Sequence, residues 1–171
     1  VVSVSSKNQD YVQDHGEALY RRSLYTFFKR TAPAPFLSAF DAPNRELSCS
    51  RRERSNTPLQ ALQLLNDTQH FEAARALATR MLSEGGARPD QRIAWAYRTV
   101  LARHPDPREV AVVRGALERH LARYRADVGA AKHAVSTGES KPPAGCDPAE
   151  LAAYTLAANL LLNLDETVTH N

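Results

Sequence analysis

Cysteine is nearly missing from this chain: 171 residues contain two, Cys49 and Cys146. That excludes a disulfide framework and every Cys-x-x-Cys device for haem, zinc or redox work. Two unrelated buried thiols are the expected reading. In an oxidising compartment a pairing would close a loop of about a hundred residues, worth up to about 4.7 kcal/mol in chain entropy. Glycine is also scarce, at seven residues. No phosphate-cradling loop, dinucleotide fingerprint or nucleophile elbow occurs. Long apolar runs are lacking, since Leu160-Leu161-Leu162 is the longest and is far too short to span a bilayer. The six histidines are scattered without a His-Glu-x-x-His pair. His70 and Glu72 stand close to Asp67, but polar side chains are expected at a helix start, so a metal site there is the weaker reading. Asp165 and Glu166 are adjacent acids, and neighbours on a helix do not face each other. Solvation, or a salt bridge to the basic segment described next, outweighs acid–base catalysis. The chain opens Val1-Val2-Ser3-Val4 with no initiator Met, basic leader or apolar signal core, and is expected to be the C-terminal piece of a longer polypeptide.

What the chain does have is unevenly placed positive charge. The net charge is +3, yet the window from Arg21 to Arg54 carries +5 and the remainder −2. Arg21 and Arg22 sit among Tyr20, Leu24 and Tyr25, and Arg51, Arg52 and Arg54 run into Ser55-Asn56-Thr57-Pro58. Guanidinium groups beside aromatics suit bidentate contact with phosphate, sulfate or carboxylate. Asn56, at the helix start, completes the candidate anion- or partner-binding set of Arg21, Arg22, Arg51, Arg52, Arg54 and Asn56. Structural pairing with internal carboxylates and carbonyls carries more weight than binding for these arginines. No nucleic-acid recognition motif supports the charge.

Hydrophobic spacing then sets the architecture. Tyr20, Leu24, Phe27 and Phe28 predict a helix over 17–30, with a strand as the alternative for so short and aromatic-rich a segment; Thr31-Ala32-Pro33-Ala34-Pro35 ends it and an irregular arm follows over 36–49. Asn56 or Thr57 caps a helix opening at Pro58, with Leu59, Leu62 and Leu65 on its inward face. Asp67 caps a second, carrying Phe71, Ala74, Leu77, Ala78, Met81 and Leu82 inward and closed by Gly85-Gly86. A third runs over 91–103 to His104-Pro105. Asp106-Pro107-Arg108-Glu109 and Asp147-Pro148-Ala149-Glu150 each spell an Asp capping box. The first opens one long helix reaching Val128. The second opens a helix apolar almost all round, which belongs at the centre of a bundle. About five helices are expected, and no sheet beyond a short pairing near the N-terminus.

Several strings in fixed order also carry a resemblance. They are Tyr20-Arg21-Arg22-Ser23-Leu24-Tyr25-Thr26-Phe27-Phe28-Lys29-Arg30-Thr31-Ala32-Pro33, Phe40-Asp41-Ala42-Pro43-Asn44-Arg45-Glu46, Arg54-Ser55-Asn56-Thr57-Pro58-Leu59-Gln60-Ala61-Leu62, Leu65-Asn66-Asp67 and Leu161-Leu162-Asn163-Leu164-Asp165-Glu166. The chain resembles the C-terminal domain of unknown function of planctomycete multidomain proteins that carry an N-terminal cytochrome c-like haem domain. Thr68 stands where that family has proline, and the family's domain begins well before Val1. The resemblance implies an extracytoplasmic, multidomain setting linked to polysaccharide breakdown. It supplies no catalytic residues.

The expectation is therefore an all-α fold, an irregular helical bundle with a long N-terminal basic coil arm. It forms a single domain over 1–171, divided into a lead-in (1–15), an aromatic and basic helix with its arm (16–57) and the bundle (58–171). Its expected role is a non-catalytic module docking neighbouring domains and an acidic or sulfated glycan. Haem is implied only in an N-terminal domain outside this chain, and no cofactor or metal is assigned within it. The rivals are an enzyme sharing its site with a preceding portion and, more weakly, a nucleic-acid binder.

Overall fold

The computed structural model describes residues 12–26, 28–29, 33–43, 47–51 and 55–169. Among them are eight α-helices, two 3-10 turns and no strand, so the fold is all-α. The helices are α1 Pro35–Ala39, α2 Pro58–Asn66, α3 Thr68–Glu84, α4 Pro89–Leu101, α5 Pro107–Ala126, α6 Val128–Val135, α7 Pro148–Leu162 and α8 Asp165–Val168. The chain divides into two compact units, Val1–Gln60 and Ala61–Asn171.

In the first unit the predicted helix over 17–30 is not formed. Two 3-10 turns, Gly16–Tyr20 and Ser23–Tyr25, replace it, separated by Arg21 and Arg22 in extended or near-extended backbone. Thr26 folds its hydroxyl back onto the Ser23 carbonyl (2.8 Å), a local alternative to helix that Ser and Thr offer readily. Phe27 and Arg30 lie outside the described residues. The expected arm contains one short helix, α1, because Pro35 at its first turn starts a helix as easily as proline ends one.

Thr57, not Asn56, caps α2. The Gln60 N–H donates to Thr57 Oγ1 (3.3 Å), and the Thr57 N–H to Gln60 Oε1 (3.1 Å), a reciprocal capping box. Gln60 is buried and spends its amide on the Ala39 carbonyl (2.7 Å) and Ser55 Oγ (3.0 Å). Ser55 in turn donates from N–H and hydroxyl to Asp41 Oδ2 (2.8 and 2.7 Å). One glutamine thus caps a helix and ties 55–60 to 39–41. The leucine face of α2 points the other way from expectation. Leu59, Leu62 and Leu65 are exposed, and Gln60 and Leu64 are the buried positions. Helical period identifies a stripe but not which side of the helix meets the core.

The second unit is built on α7, as its all-round apolar surface requires. Ten of its fifteen residues are buried. Ala152, Ala153, Ala157 and Ala158 let α3, α5 and α6 approach closely, while Leu151 and Leu161 fill the gaps with Met81 of α3 and Ile93 of α4. Thr155 is fully buried, its hydroxyl satisfied by the Leu151 carbonyl (2.7 Å). Asn159 of α7 and Asn163, the residue that caps its C-terminus, donate to the Leu65 and Ala61 carbonyls of α2 (3.5 and 3.3 Å).

Caps decide the helix starts. Asp67 accepts from the His70 N–H (2.7 Å), and Asp106 from the Arg108 and Glu109 N–H groups (2.7 and 2.8 Å). Glu109 completes its box by accepting from the Asp106 N–H (2.8 Å). The second expected box is half made. Asp147 accepts from the Ala149 N–H, but Glu150 is drawn to Arg92 (2.9 Å). The third helix begins at Pro89 and ends at Leu101, with Ala102 in the left-handed region (φ 56°), so it stops before His104-Pro105. The long helix expected through Val128 breaks at Asp127, which leaves helical geometry (φ −131°, ψ 87°) and accepts from the Ala130 N–H (2.8 Å) to start α6. Neither cysteine is in a disulfide; Cys49 is exposed and Cys146 half-buried, so the reading of two buried thiols is corrected.

Candidate functional site

The sequence-predicted set lies in and beside the first unit's irregular backbone. Arg21 and Arg22 join the two 3-10 turns, and both are exposed, as is Arg51. Arg52 and Arg54 lie outside the described residues. Asn56 is exposed and precedes the Thr57 cap. Large apolar side chains accompany these arginines at the surface: Tyr20 is 54% exposed, Leu24 69%, Tyr25 63% and Leu47 79%. Aromatics and arginine are the residues enriched in protein–protein contacts. Cys49 donates its thiol to the Arg51 carbonyl (3.1 Å).

Sequence reasoning missed the buried charge of the second unit. Glu72 and Arg75 on α3 are 4% and 3% exposed. Arg75 donates to the Val135 and Thr137 carbonyls through Nη1, and to the Ser140 carbonyl and hydroxyl (both 2.6 Å) through Nη2. Glu72 accepts from the Ser140 N–H (2.6 Å) and the Glu139 N–H (3.1 Å), and lies 3.4 Å from Arg75. The pair therefore satisfies the backbone of a loop more than sixty residues away. Its cue was a Glu-x-x-Arg step on the inward face of a helix, which also describes an ordinary surface pair. His70 does not join Glu72 in a ligand set. Its imidazole is pushed below the ordinary histidine range by burial, partly offset by Asp67.

Of the two acids near the C-terminus, Glu166 pairs with Arg103. Arg103 forks onto Glu109 (2.7 and 2.9 Å) and Glu166 (2.7 and 2.8 Å), with its guanidinium 5.4 Å from the Tyr97 ring. This joins α8 to the α4–α5 corner. The Arg103 hydrogen bonds, helped by the Asp106 N–H, hold the Glu109 carboxyl down to about 2, and Arg103 lowers Glu166 likewise. A depressed carboxylate contributes stability that is complete above its unfolded value near 4.5 and is lost as pH falls toward 2. All three groups are partly exposed, so solvent and salt shrink the effect. Arg103→Gln is thus expected to flatten the fall of melting temperature between pH 4.5 and 2. Unchanged acid curves for the variant would remove Arg103 from that role.

Among the described residues no group of three or more His, Cys, Asp and Glu is placed to hold a metal ion. No described helix is long and apolar enough to cross a membrane. A family model described as "PSD1: Protein of unknown function (DUF1553)" matches residues 1–117. No curated protein and no solved structure matches the chain.

Proposed function

We propose a docking role for this chain, which belongs to the PSD1 family, proteins of unknown function (DUF1553). It acts as a non-catalytic helical module of a larger extracytoplasmic protein, beside a cytochrome c-like haem domain of the kind found in the planctomycete proteins it resembles. The haem belongs to that neighbouring domain, and this chain's contribution is contact. The observation that carries the reading is the surface of the first unit, where Arg21, Arg22 and Arg51 stand exposed with Tyr20, Leu24 and Tyr25. Apolar area of this kind stabilises a contact once water is expelled, and the guanidiniums orient an acidic partner. An acidic or sulfated glycan meets the same requirement for paired anionic oxygens.

The test is retention on heparin as a sulfated-glycan probe. Binding is expected to weaken steeply with salt, because charges more than about 8 Å apart are screened at physiological ionic strength. The triple variant Arg21→Ala, Arg22→Ala, Arg51→Ala is expected to lose about tenfold in affinity, or about 1.4 kcal/mol. Its circular dichroism should be unchanged, since all three side chains are exposed. Retention that survives the triple substitution would remove the glycan arm of the proposal. A variant that melts earlier and binds as before would make these arginines structural.

A further inference from the structure

The first unit closes part of its own irregular backbone with a polar clasp. Asp41 accepts from both the N–H and the hydroxyl of Ser55, 14 positions further along the chain. The same hydroxyl accepts from Gln60 Nε2, which also donates to the Ala39 carbonyl. Gln60 Oε1 takes the Thr57 N–H, so both ends of this buried amide are spent. All of these residues lie within Val1–Gln60. A polar network whose members are satisfied rigidifies the chain around it.

Asp41 shows what the clasp is for. Its φ of 54° lies in the left-handed region, which glycine adopts at no steric cost. Glycine would serve the turn alone; aspartate adds the carboxylate that takes both Ser55 donors. The clasp closes the span 42–54, and Arg51 within it stands exposed four residues before Ser55. Among the described residues Arg51 pairs with no carboxylate, whereas Arg75, Arg80, Arg92, Arg103 and Arg114 each do. Its backbone is also tied on the other side, where its carbonyl accepts the Cys49 thiol. A guanidinium meets two oxygens of one anion only when its fork is aimed. A tethered backbone lowers the ordering cost of aiming it.

We infer that Asp41, Ser55 and Gln60 are positioning residues for Arg51, fixing its exposed guanidinium for a sulfate or carboxylate group of an acidic glycan. The inference rests on the glycan reading of Arg21, Arg22 and Arg51 and adds how one of the three is aimed.

Heparin is the probe, titrated into the full chain and followed by calorimetry. A tenfold loss for the triple arginine variant is about twofold per arginine, so Arg51→Ala should weaken heparin about twofold. Ser55→Ala and Asp41→Gly each break the clasp, the second while easing the backbone, and each should weaken heparin by the same factor. Ser55→Thr keeps the hydroxyl and should bind as the parent does. The decisive measurement is the cycle with Arg51→Ala, in whose background Ser55→Ala and Asp41→Gly should cost nothing further. A general loosening of the first unit would instead weaken binding equally with and without Arg51, and that result would overturn the inference. So would clasp variants that bind as tightly as the parent while Arg51→Ala does not, an outcome that leaves the glycan reading standing. A parent chain that does not bind heparin removes the glycan reading and this inference with it.

Discussion

Arg75→Ala is expected to destabilise the second unit by about 3–5 kcal/mol, the cost of removing one partner of a buried, hydrogen-bonded ion pair. Glu72 would remain 4% exposed, holding the Glu139 and Ser140 N–H groups but deprived of the Arg75 guanidinium. The carbonyls of Val135, Thr137 and Ser140 would lose their shared donor at the same time. A melting temperature lower by about 10 °C or more follows for a unit of this size. Urea unfolding gives the free energy, and limited proteolysis at 136–147 reports the loop, which should be cut at lower protease concentration in the variant. The double variant Glu72→Met, Arg75→Met separates charge from packing. Replacing both ions with apolar side chains removes the desolvation penalty, so it should recover part of the loss. A single variant within 1 kcal/mol of the parent would show that water reaches the pair freely.

This pair also marks where the sequence stops being informative. Asp67 and Asp106 are legible because a cap involves residues two or three apart, and the acid at that spacing before a helix has one obvious task. The centrality of α7 is legible because a helix apolar on every side has nowhere else to go. Glu72 and Arg75 bond residues 60 to 68 positions away, and no local pattern announces that. Glu150 fails for the same reason, since Arg92, 58 residues distant, outcompetes the cap. Asp127 reads as one more polar position on a long amphipathic helix until its backbone turns out. Leu59, Leu62 and Leu65 show the converse limit: their period is helical as expected, yet they face solvent while Gln60 takes the buried place. For the candidate site, composition singled out Arg21, Arg22 and Arg51, whose exposure no local pattern could foretell.

Gly138→Ala should rival the loss at Arg75, and for a reason that can be divided. Gly138 has φ 97°, a region that costs a residue with a β-carbon about 1–3 kcal/mol. The new carbon would also lie 2.6 Å from Glu72 Cδ and 2.9 Å from Glu72 Cβ, nearer still to the carboxylate oxygen. Glu72 has little room to yield, because the Glu139 and Ser140 N–H groups hold its carboxylate. Overpacking of this kind adds about 1–3 kcal/mol, so a total of about 2–6 kcal/mol is expected from urea unfolding. Measuring Gly138→Ala again in a Glu72→Ala background separates the two contributions. Removing the carboxylate relieves the contacts with Cδ and the oxygen but leaves the backbone strain and the 2.9 Å approach to the Cβ that alanine keeps, so the substitution should cost less than in the parent and no less than the strain of about 1–3 kcal/mol. Equal costs in both backgrounds would mean that the Glu72 carboxylate plays no part in the demand for glycine at 138. A smaller cost in the Glu72→Ala background would show that the loop is shaped around the Glu72 side chain.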